Sequence, residues 1–335
     1  MVKFLSKFLH SYLELPAKSA KIVCLGGGTG LPNLLSGLKH YTNSISAIVT
    51  MADEGGSSGR LRRILGVPPV GDIRNCLVAL ADSEDFMAKL LNYRFPGKRY
   101  GADTDLGGHA LGNLILAALG EVSGNFNKGL VELGRVLAIQ GKVLPSTEVN
   151  VRIWAKTSDG QKVFGEEKID LGKYDGAREI EKLGLIPANA AGFKPAIAAI
   201  AAADIIIAGP GDLYTSIMPN LLISDIVAAI KKSRAVKIFI LNIANKPFET
   251  PNYTASDYLA AVKKHCGDSL FDYIIINSRP QRKIPPKLQY HYVKADVENL
   301  KTKFKVKIFA GDIQDRVNVL HHDSRKLASL IFSVL

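Results

Sequence analysis

The sequence predicts an α/β fold, doubly wound around a mostly parallel sheet, with a small antiparallel hairpin inserted into it. Three observations carry this reading. Residues 21–51 run strand, glycine turn, helix, strand (KIVCL, GGGTG, LPNLLSGL, ISAIVTM). A second strand–turn–helix corner stands at 204–231, where DIIIA leads through GPG into an apolar helix. Between them, 149–156 and 161–168 alternate around Asp159-Gly160. Parallel strands need a crossover, usually a helix, whereas alternation about an Asp-Gly pair marks a hairpin.

The elements follow in order. Residues 1–20 carry Phe4, Leu5, Phe8, Leu9, Tyr12 and Leu13 at helical spacing beside Lys3 and Lys7. This amphipathic extension either docks on the fold or makes peripheral contact with a membrane. Lys21–Leu25 is a buried strand, and Pro32 fits the first turn of the helix after it, where a missing N–H costs nothing. Ile45–Met51 is the next strand. Helices are expected over Asp72–Ala81, Asp85–Tyr93, His109–Leu119 and Asn127–Ala138, and the hairpin insertion over 149–170. Beyond it, Asp204–Ala208, Val236–Asn242 and Asp272–Asn277 read as strands. Thr215–Lys231, Ser256–His265 and Arg325–Val334 read as helices. Without a low-complexity linker, 21–335 reads as one nucleotide-binding domain.

Composition excludes several classes. With 335 residues, 47% of them apolar and 22% charged, the chain is not a disordered one. Its apolar runs fall far short of the roughly 18 residues a membrane span needs. The three cysteines lie far apart without a CxxC, so neither a zinc ribbon nor a disulfide framework is supported. No apolar leader stands at the N-terminus, and cytoplasm is the default compartment. The net charge is +12, and over half comes from Arg279–Lys307, with nine basic residues against Asp296 and Glu298. Such a stripe attracts anions. No recognition helix, zinc finger or RNA-binding aromatic motif accompanies it, so it reads as a solvated edge, not a nucleic-acid site.

The chemistry sits in the loops. Gly26, Gly27, Gly28, Thr29 and Gly30 open the first helix, where free N–H groups and the helix dipole favour a phosphate. Neither a Walker loop nor a full GxGxxG is present. Asp53 follows the second strand, the place of a ribose clamp. The stretch from Gly55 to Arg60, with Ser57 and Ser58, reads as a mobile glycine-rich loop over a ligand, Arg60 supplying a cation. Asp72 suits an N-cap, with Arg74 and Asn75 in the same turn facing the ligand. His109 and Asn113 are four apart and share a helix face. At the second corner Gly209, Gly211, Tyr214, Thr215 and Ser216 either cap the helix or bind phosphate or sugar, with Asn220 one turn on. Both corners end strands, so they meet at the sheet's carboxyl edge. Asn245–Thr250 is expected on the same edge.

The catalytic candidates are Asp53, Asp72 and His109, with no nucleophile whose base can be assigned from spacing. No cofactor is required. Magnesium, where used, falls to Asp53, Glu54 and Asp72, since hard carboxylates bridge to phosphates.

Taken in order, GGGTGL from Gly26, EGGSSGRLR from Glu54, GDIRNCLVALAD from Gly71, GHALGNLIL from Gly108, VLPST from Val143 and GPGDLYTSIMPNLL from Gly209 resemble the YvcK-type gluconeogenesis factors. That family lies in the superfamily of the phospholactate transferase CofD. The likeness runs over 21–277, with a weaker tail. It implies a Rossmann-like fold, binding of a UDP-sugar such as UDP-N-acetylglucosamine, and a role in carbon metabolism and cell shape. The chain departs from the family pattern at Asp212, where Ser is usual, at Asn245-Lys246-Pro247-Phe248, where the family has Thr-Gln-Pro-Gly, and at His321, where Arg is usual. Asp212 is expected to add negative charge beside the phosphate loop, and His321 to weaken an anion contact.

Binding groups outnumber chemical ones, which favours a nucleotide-sugar-binding regulator that forms a homo-oligomer. The alternative is a magnesium-dependent transferase moving a phosphoryl-linked group from a nucleotide carrier. An NAD-linked dehydrogenase is weaker, lacking the third glycine and a substrate domain.

Overall fold

Short runs of Ile, Val and Leu, too brief for helices, make the strands of the computed structural model. It describes residues 20–82, 85–98, 106–172, 179–267, 270–280 and 283–333. The extension expected over 1–20 lies outside these residues except for Ala20. The strands are β1 (Ile22–Gly26), β2 (Ile45–Val49), β3 (Lys142–Pro145), β4 (Arg152–Thr157), β5 (Lys162–Phe164), β6 (Ile180–Ile186), β7 (Ile205–Ala208), β8 (Val236–Ile240), β9 (Ala244–Asn245), β10 (Tyr273–Asn277), β11 (His291–Tyr292) and β12 (Lys307–Gly311). Seven of them form one sheet in the order β12-β10-β8-β7-β1-β2-β3, parallel throughout. Central parallel strands are covered on both faces and therefore read as continuous apolar runs. Every residue of β1 and β7 is buried accordingly.

The order of the strands places the site. The chain moves outward from β1 through β2 to β3, then returns to lay β7 against the other side of β1 and moves outward again through β8, β10 and β12. Loops leaving β1 and β7 therefore diverge to opposite sides and leave a crevice at their carboxyl ends. The α/β reading of the sequence, doubly wound and Rossmann-like, is the fold observed.

Helices flank the sheet: α1 (Gly30–Leu38), α2 (Gly56–Leu65), α3 (Val70–Leu80), α4 (Asp85–Asn92), α5 (Leu111–Val122), α6 (Phe126–Val136), α7 (Glu166–Asp170), α8 (Lys194–Ala201), α9 (Met218–Leu221), α10 (Ser224–Lys232), α11 (Ala255–Cys266), α12 (Val297–Asn299) and α13 (Ser324–Ser333). Six of them correct the sequence reading or extend it, the short α7 and α12 among them. The segment expected to be a mobile loop at 55–60 is the start of α2, with Ser57, Ser58, Arg60 and Leu61 buried and a left-handed Gly66 closing it. The single helix expected over 215–231 is a π-type turn at Leu213–Ile217 followed by α9 and α10, bent by 74°. α8, built from KPAIAAIA, was not anticipated. Among the described residues no single helix is long and apolar enough to cross a membrane.

The insertion is larger than a hairpin. β4 and β5 pair antiparallel around the Asp159-Gly160 turn, and β6 pairs with the other edge of β4, making a three-stranded sheet. The basic stretch contributes β12, an edge strand of the main sheet that begins with Lys307. Lysine on an edge strand blunts further pairing.

α1 is sandwiched between β1, α3 and α13, and glycine sets its distance from α13. A Cβ at Gly37 would lie 2.1 Å from the Ser324 carbonyl oxygen. Gly37→Ala is therefore expected to destabilise the protein by about 1–3 kcal/mol, the range for overpacked contacts. Urea denaturation that returns an unchanged midpoint would refute this packing.

Candidate functional site

Two corners face one another across the β1–β7 crevice, and glycine brings them into contact. A Cβ at Gly30 would lie 2.3 Å from the Pro210 carbonyl oxygen, so only glycine lets the start of α1 approach the β7 corner. Asn220 ties the two from below, its Nδ2 donating to the carbonyls of Gly26 (3.2 Å) and Ser216 (2.9 Å). Gly28 adopts φ +61°, a left-handed conformation that favours glycine. Its N–H donates to Asp72 Oδ2 at 2.7 Å. Asp72 stands in the first turn of α3 but makes no cap to that helix. The capping role expected of it gives way to a bond that reaches across to the glycine loop.

The second corner uses its amides internally. The N–H groups of Tyr214 (3.0 Å) and Thr215 (3.2 Å) donate to Glu249 Oε2, and the Thr215 hydroxyl donates to Oε1 (2.8 Å). Glu249 is fully buried. Its carboxylate takes the place at a helix start that an external phosphate would occupy. The main-chain N–H groups of Tyr214 and Thr215 and the Thr215 hydroxyl are thus engaged within the protein, in the structural role that the sequence left open beside ligand binding. The Tyr214 ring turns into the core, its hydroxyl 2.9 Å from that of Tyr253.

Lys246 stands over this carboxylate. Its Nζ bonds Asp212 Oδ2 at 2.7 Å, pairs with Asp170 and lies 3.4 Å from Glu249 Oε1. Asp170, Asp212 and Glu249 are the group of three acids close enough for a metal among the described residues. The ammonium of Lys246 already supplies their counter-charge. Burial pushes the Glu249 carboxyl up to about 7, against the pull of Lys246. Burial alone would lower Lys246, but Glu249, Asp212 and Asp170 carry it well above its ordinary value. Asn245–Thr250 thereby stands at the sheet edge expected for it.

A second acidic group lies beside the glycine loop. Burial, with the charge of Asp53 next, pushes Asp72 up to about 7 although part of its surface reaches solvent. Glu166, contributed by the antiparallel insertion, is raised well above its ordinary value by burial and by Asp53. Asp53 Oδ1 accepts from Gly55 N–H at 2.8 Å, the first turn of α2 thereby folding back onto it.

Behind these acids runs a buried polar network. Ser57 Oγ lies 2.9 Å from His109 Nδ1 and accepts from Asn113 Nδ2 at 2.9 Å, and Arg74 bonds Asn113 (3.1 Å) and Asn75 (2.5 Å). Arg60, 1% exposed, donates to the Gly107 carbonyl at 2.7 Å, and Ser58 Oγ accepts from Gly71 N–H. These side chains hold α2, α3 and α5 together. Arg60, Arg74, His109 and Asn113, expected at the ligand, are not among the residues that line the cleft between the two corners.

The crevice contains a cleft of about 150 Å³. Of the residues singled out from the sequence, Gly28, Thr29, Gly30, Gly211 and Ser216 line it. Asn33, Asp212, Asn242, Tyr290, His321 and His322 line it as well; of these the sequence pointed only to Asp212, beside the phosphate loop, and to His321, at an anion contact. Asn33, three residues into α1, and the His321-His322 pair carried the available signal.

The family of 2-phospho-L-lactate transferase CofD matches residues 22–314. The chain belongs to the CofD family. Among proteins of this family it is 42% identical to the gluconeogenesis factor of Bacillus subtilis, covering 94% of this chain and 98% of that one. It is 40% identical to the gluconeogenesis factor of Halalkalibacterium halodurans over 94% of this chain and 96% of the other. The crystal structure of a UPF0052 family protein from Bacillus halodurans superposes with a TM-score of 0.86 at 38% identity, covering 94% of this chain and 99% of that one.

Asp212 and Lys246, two positions that the resemblance set apart in the sequence, form one ion pair. The negative charge expected of Asp212 at the cleft is thus matched by an ammonium 2.7 Å away. Lys246→Gln leaves three acids without a counter-charge and should destabilise the protein. Adding Asp212→Ser should recover part of that loss, a coupling of about 1 kcal/mol or more in a double-mutant cycle. Additive effects in thermal denaturation would sink the compensation.

Asp72 gives a pH prediction. A carboxyl whose folded pKa is raised binds more protons folded than unfolded, so its contribution to stability falls as pH rises from about 4 to about 7. Asp72→Asn removes that penalty and keeps an oxygen for Gly28 N–H. The variant's melting temperature should gain on that of the parent across this window and stay level with it below pH 4. A difference independent of pH would contradict the raised carboxyl.

Proposed function

We propose that this CofD-family protein binds a nucleotide-sugar, a UDP-sugar of the UDP-N-acetylglucosamine kind, in the cleft between its two corners, and responds to it without consuming it. The observation that carries the reading is the exposed start of α1, with Gly28, Thr29 and Gly30 facing the Ser216 hydroxyl across a cleft at the topological switch point. A helix start there offers main-chain N–H groups and partial positive charge to a diphosphate. A cleft of about 150 Å³ is smaller than the roughly 300–1,000 Å³ that enclose a whole small molecule. The diphosphate and one neighbouring group fit inside it, and the remainder extends over the rim. Chemical groups are few. Ser57 and His109 have nucleophile–base spacing, but both are buried and the Ser57 oxygen is also engaged by Asn113. The name shared by the relatives supports a regulatory role in carbon metabolism. The same reading places the protein in the cytoplasm.

A second reading, a transferase of the phospholactate type, draws support from Asp53 and Asp72. Their charges oppose one another beside the glycine loop. Two hard carboxylates at a phosphate site fit magnesium, which would neutralise phosphate charge there. Asp53 and Asp72 would hold it, and the Thr29–Gly30 amides would orient the phosphates.

Calorimetry with UDP-N-acetylglucosamine, GTP and NAD, with and without magnesium, separates the readings. The nucleotide-sugar is expected to bind best and to stabilise the fold by about 2.7 kcal/mol at a hundredfold excess over Kd. Chromatography should recover it intact. Gly28→Val places a branched side chain at a left-handed φ, against Ser216 Oγ, and should abolish binding. Undiminished affinity in the folded variant, or steady release of UDP, UMP or a transferred group, would overturn the proposal.

A further inference from the structure

The cleft occupies the carboxyl edge of the sheet, and the opposite edge has a chemistry of its own. The seven strands are parallel, so all of them start at that amino edge. Two connections reach it carrying basic residues and no acid. Residues 231–237, from the end of α10 into β8, contain Lys231, Lys232, Arg234 and Lys237. Residues 301–307, through a π-type turn into β12, contain Lys301, Lys303, Lys305 and Lys307. The whole chain has a net charge of +12, and these eight cations concentrate much of it on one edge.

The sheet brings the two connections together. β8 and β12 flank β10, and Tyr273 at its start is in register with Ile238 on one side and Lys307 on the other. Neighbouring strands lie about 4.8 Å apart, so the connections enter the sheet about 10 Å from each other. Seven of the eight side chains are exposed, and Lys237 is half-buried. Structural duties occupy a minority of them. Lys231 Nζ donates to the Cys266 carbonyl (2.8 Å), Lys237 Nζ to those of Ser233 (2.9 Å) and Ala235 (3.1 Å), and Lys307 covers the Tyr273 ring. The acids described at the starts of β7 and β10, Asp204 and Asp272, accept from the main-chain N–H groups of Lys21 and Lys237.

The chain before β1 joins the fold at this same edge. β1 starts at Ile22 and is separated from β8 only by β7. The sequence ahead of it carries Phe4, Leu5, Phe8, Leu9, Tyr12 and Leu13 at helical spacing. An apolar stripe tethered beside a basic face supplies the two signals of stable peripheral membrane attachment: apolar side chains enter the headgroup boundary, and lysines meet anionic headgroups. Nucleic acid would use the cations and leave the apolar stripe without a role.

We infer that the amino edge of the sheet docks on an anionic phospholipid membrane, with Lys232, Arg234, Lys303 and Lys305 facing the headgroups and the apolar residues of 1–19 entering the bilayer surface. The cleft, at the other edge, faces away from the membrane in this orientation, so the inference does not depend on what the cleft binds.

Vesicle flotation of the full chain tests it. Vesicles of phosphatidylcholine with about 30% phosphatidylglycerol should carry the protein up the gradient at about 0.05 M salt, and phosphatidylcholine alone should not. Raising the salt to about 0.5 M should lower the partition about tenfold or more. Reversing four cations together, Lys232→Glu, Arg234→Glu, Lys303→Glu and Lys305→Glu, should abolish it. Lys89→Glu, Lys128→Glu, Lys162→Glu and Lys168→Glu give the same net charge from exposed lysines on α4, α6, β5 and α7, and this control should keep most of the binding. Phe4→Ser with Phe8→Ser should lower the partition about tenfold. A parent chain that stays off the anionic vesicles, or floats equally with both kinds, overturns the inference. So does an equal loss in the two fourfold variants, or full binding after the two phenylalanines are replaced. A chain that retains duplex DNA through these cations but does not float overturns it in favour of nucleic acid. Should the edge variant fail to fold, the salt dependence of the parent and the phenylalanine variant decide.

Discussion

Everything at the carboxyl edge of the sheet depends on two carboxylates seated on main-chain N–H groups. Helix starts leave amides without partners, and buried ones must be satisfied. At the β7 corner Glu249 satisfies two of them and a hydroxyl. At the β1 corner Asp72 satisfies Gly28. The two arrangements have opposite consequences. Glu249 is sealed by Lys246 and the core, so its corner is closed to external anions. Asp72 takes only one amide of its loop, and Thr29, exposed at the crevice, begins a helix that still points its dipole outward. Under the proposed reading anion binding falls to the β1 corner, while the other holds the π-type turn and the Ser216 hydroxyl in position.

The same constraint ties the antiparallel insertion to the site. Asp170 and Glu166 belong to α7, between β5 and β6, yet Asp170 pairs with Lys246 and Glu166 accepts from Glu54 N–H at 3.4 Å. The insertion is therefore tied to the β7 corner through Lys246 and to the segment before α2 through Glu54. Glu54 reinforces this by pairing with Arg152 on β4.

The central fold was legible because its strands are buried on both faces: β1, β2, β7, β8 and β10 are apolar runs bounded by turns. β3 and β12 were not legible, since KVLP and KIFAG are short, begin with lysine and lie at the sheet's edges. The start of α2 was misread because its glycines suggest a loop. Gly59 is there for a different reason, as a Cβ would lie 1.8 Å from the Glu54 carbonyl oxygen. At the site, the Gly26–Gly30 corner was readable from local chemistry. The partners of its neighbours were not. Glu249 stands 35 residues from Tyr214, and nothing within NKPFET marks it as the occupant of a helix start. Long-range satisfaction of amides leaves no local pattern. The Asp212–Lys246 pair was visible only as two separate departures, whose common cause needed the geometry.

The Ser57–His109 pair shows why proximity alone does not define a catalytic centre. At 2.9 Å the two meet the distance expected of a nucleophile and its base. A nucleophile must also reach a substrate, and Ser57 is 5% exposed. The Ser57 hydrogen is directed to His109 only if Nδ1 is bare, and one oxygen lone pair already receives Asn113. Asn113 in turn receives Arg74, so the chain of bonds runs inward through α5 to α3 and not outward to the cleft. This network fixes the platform on which Asp53 and Asp72 stand. The Ser57–His109 pair therefore offers no exposed nucleophile to the cleft, and the charge and positioning that Asp53 and Asp72 supply beside it are what phosphoryl-type transfer can use.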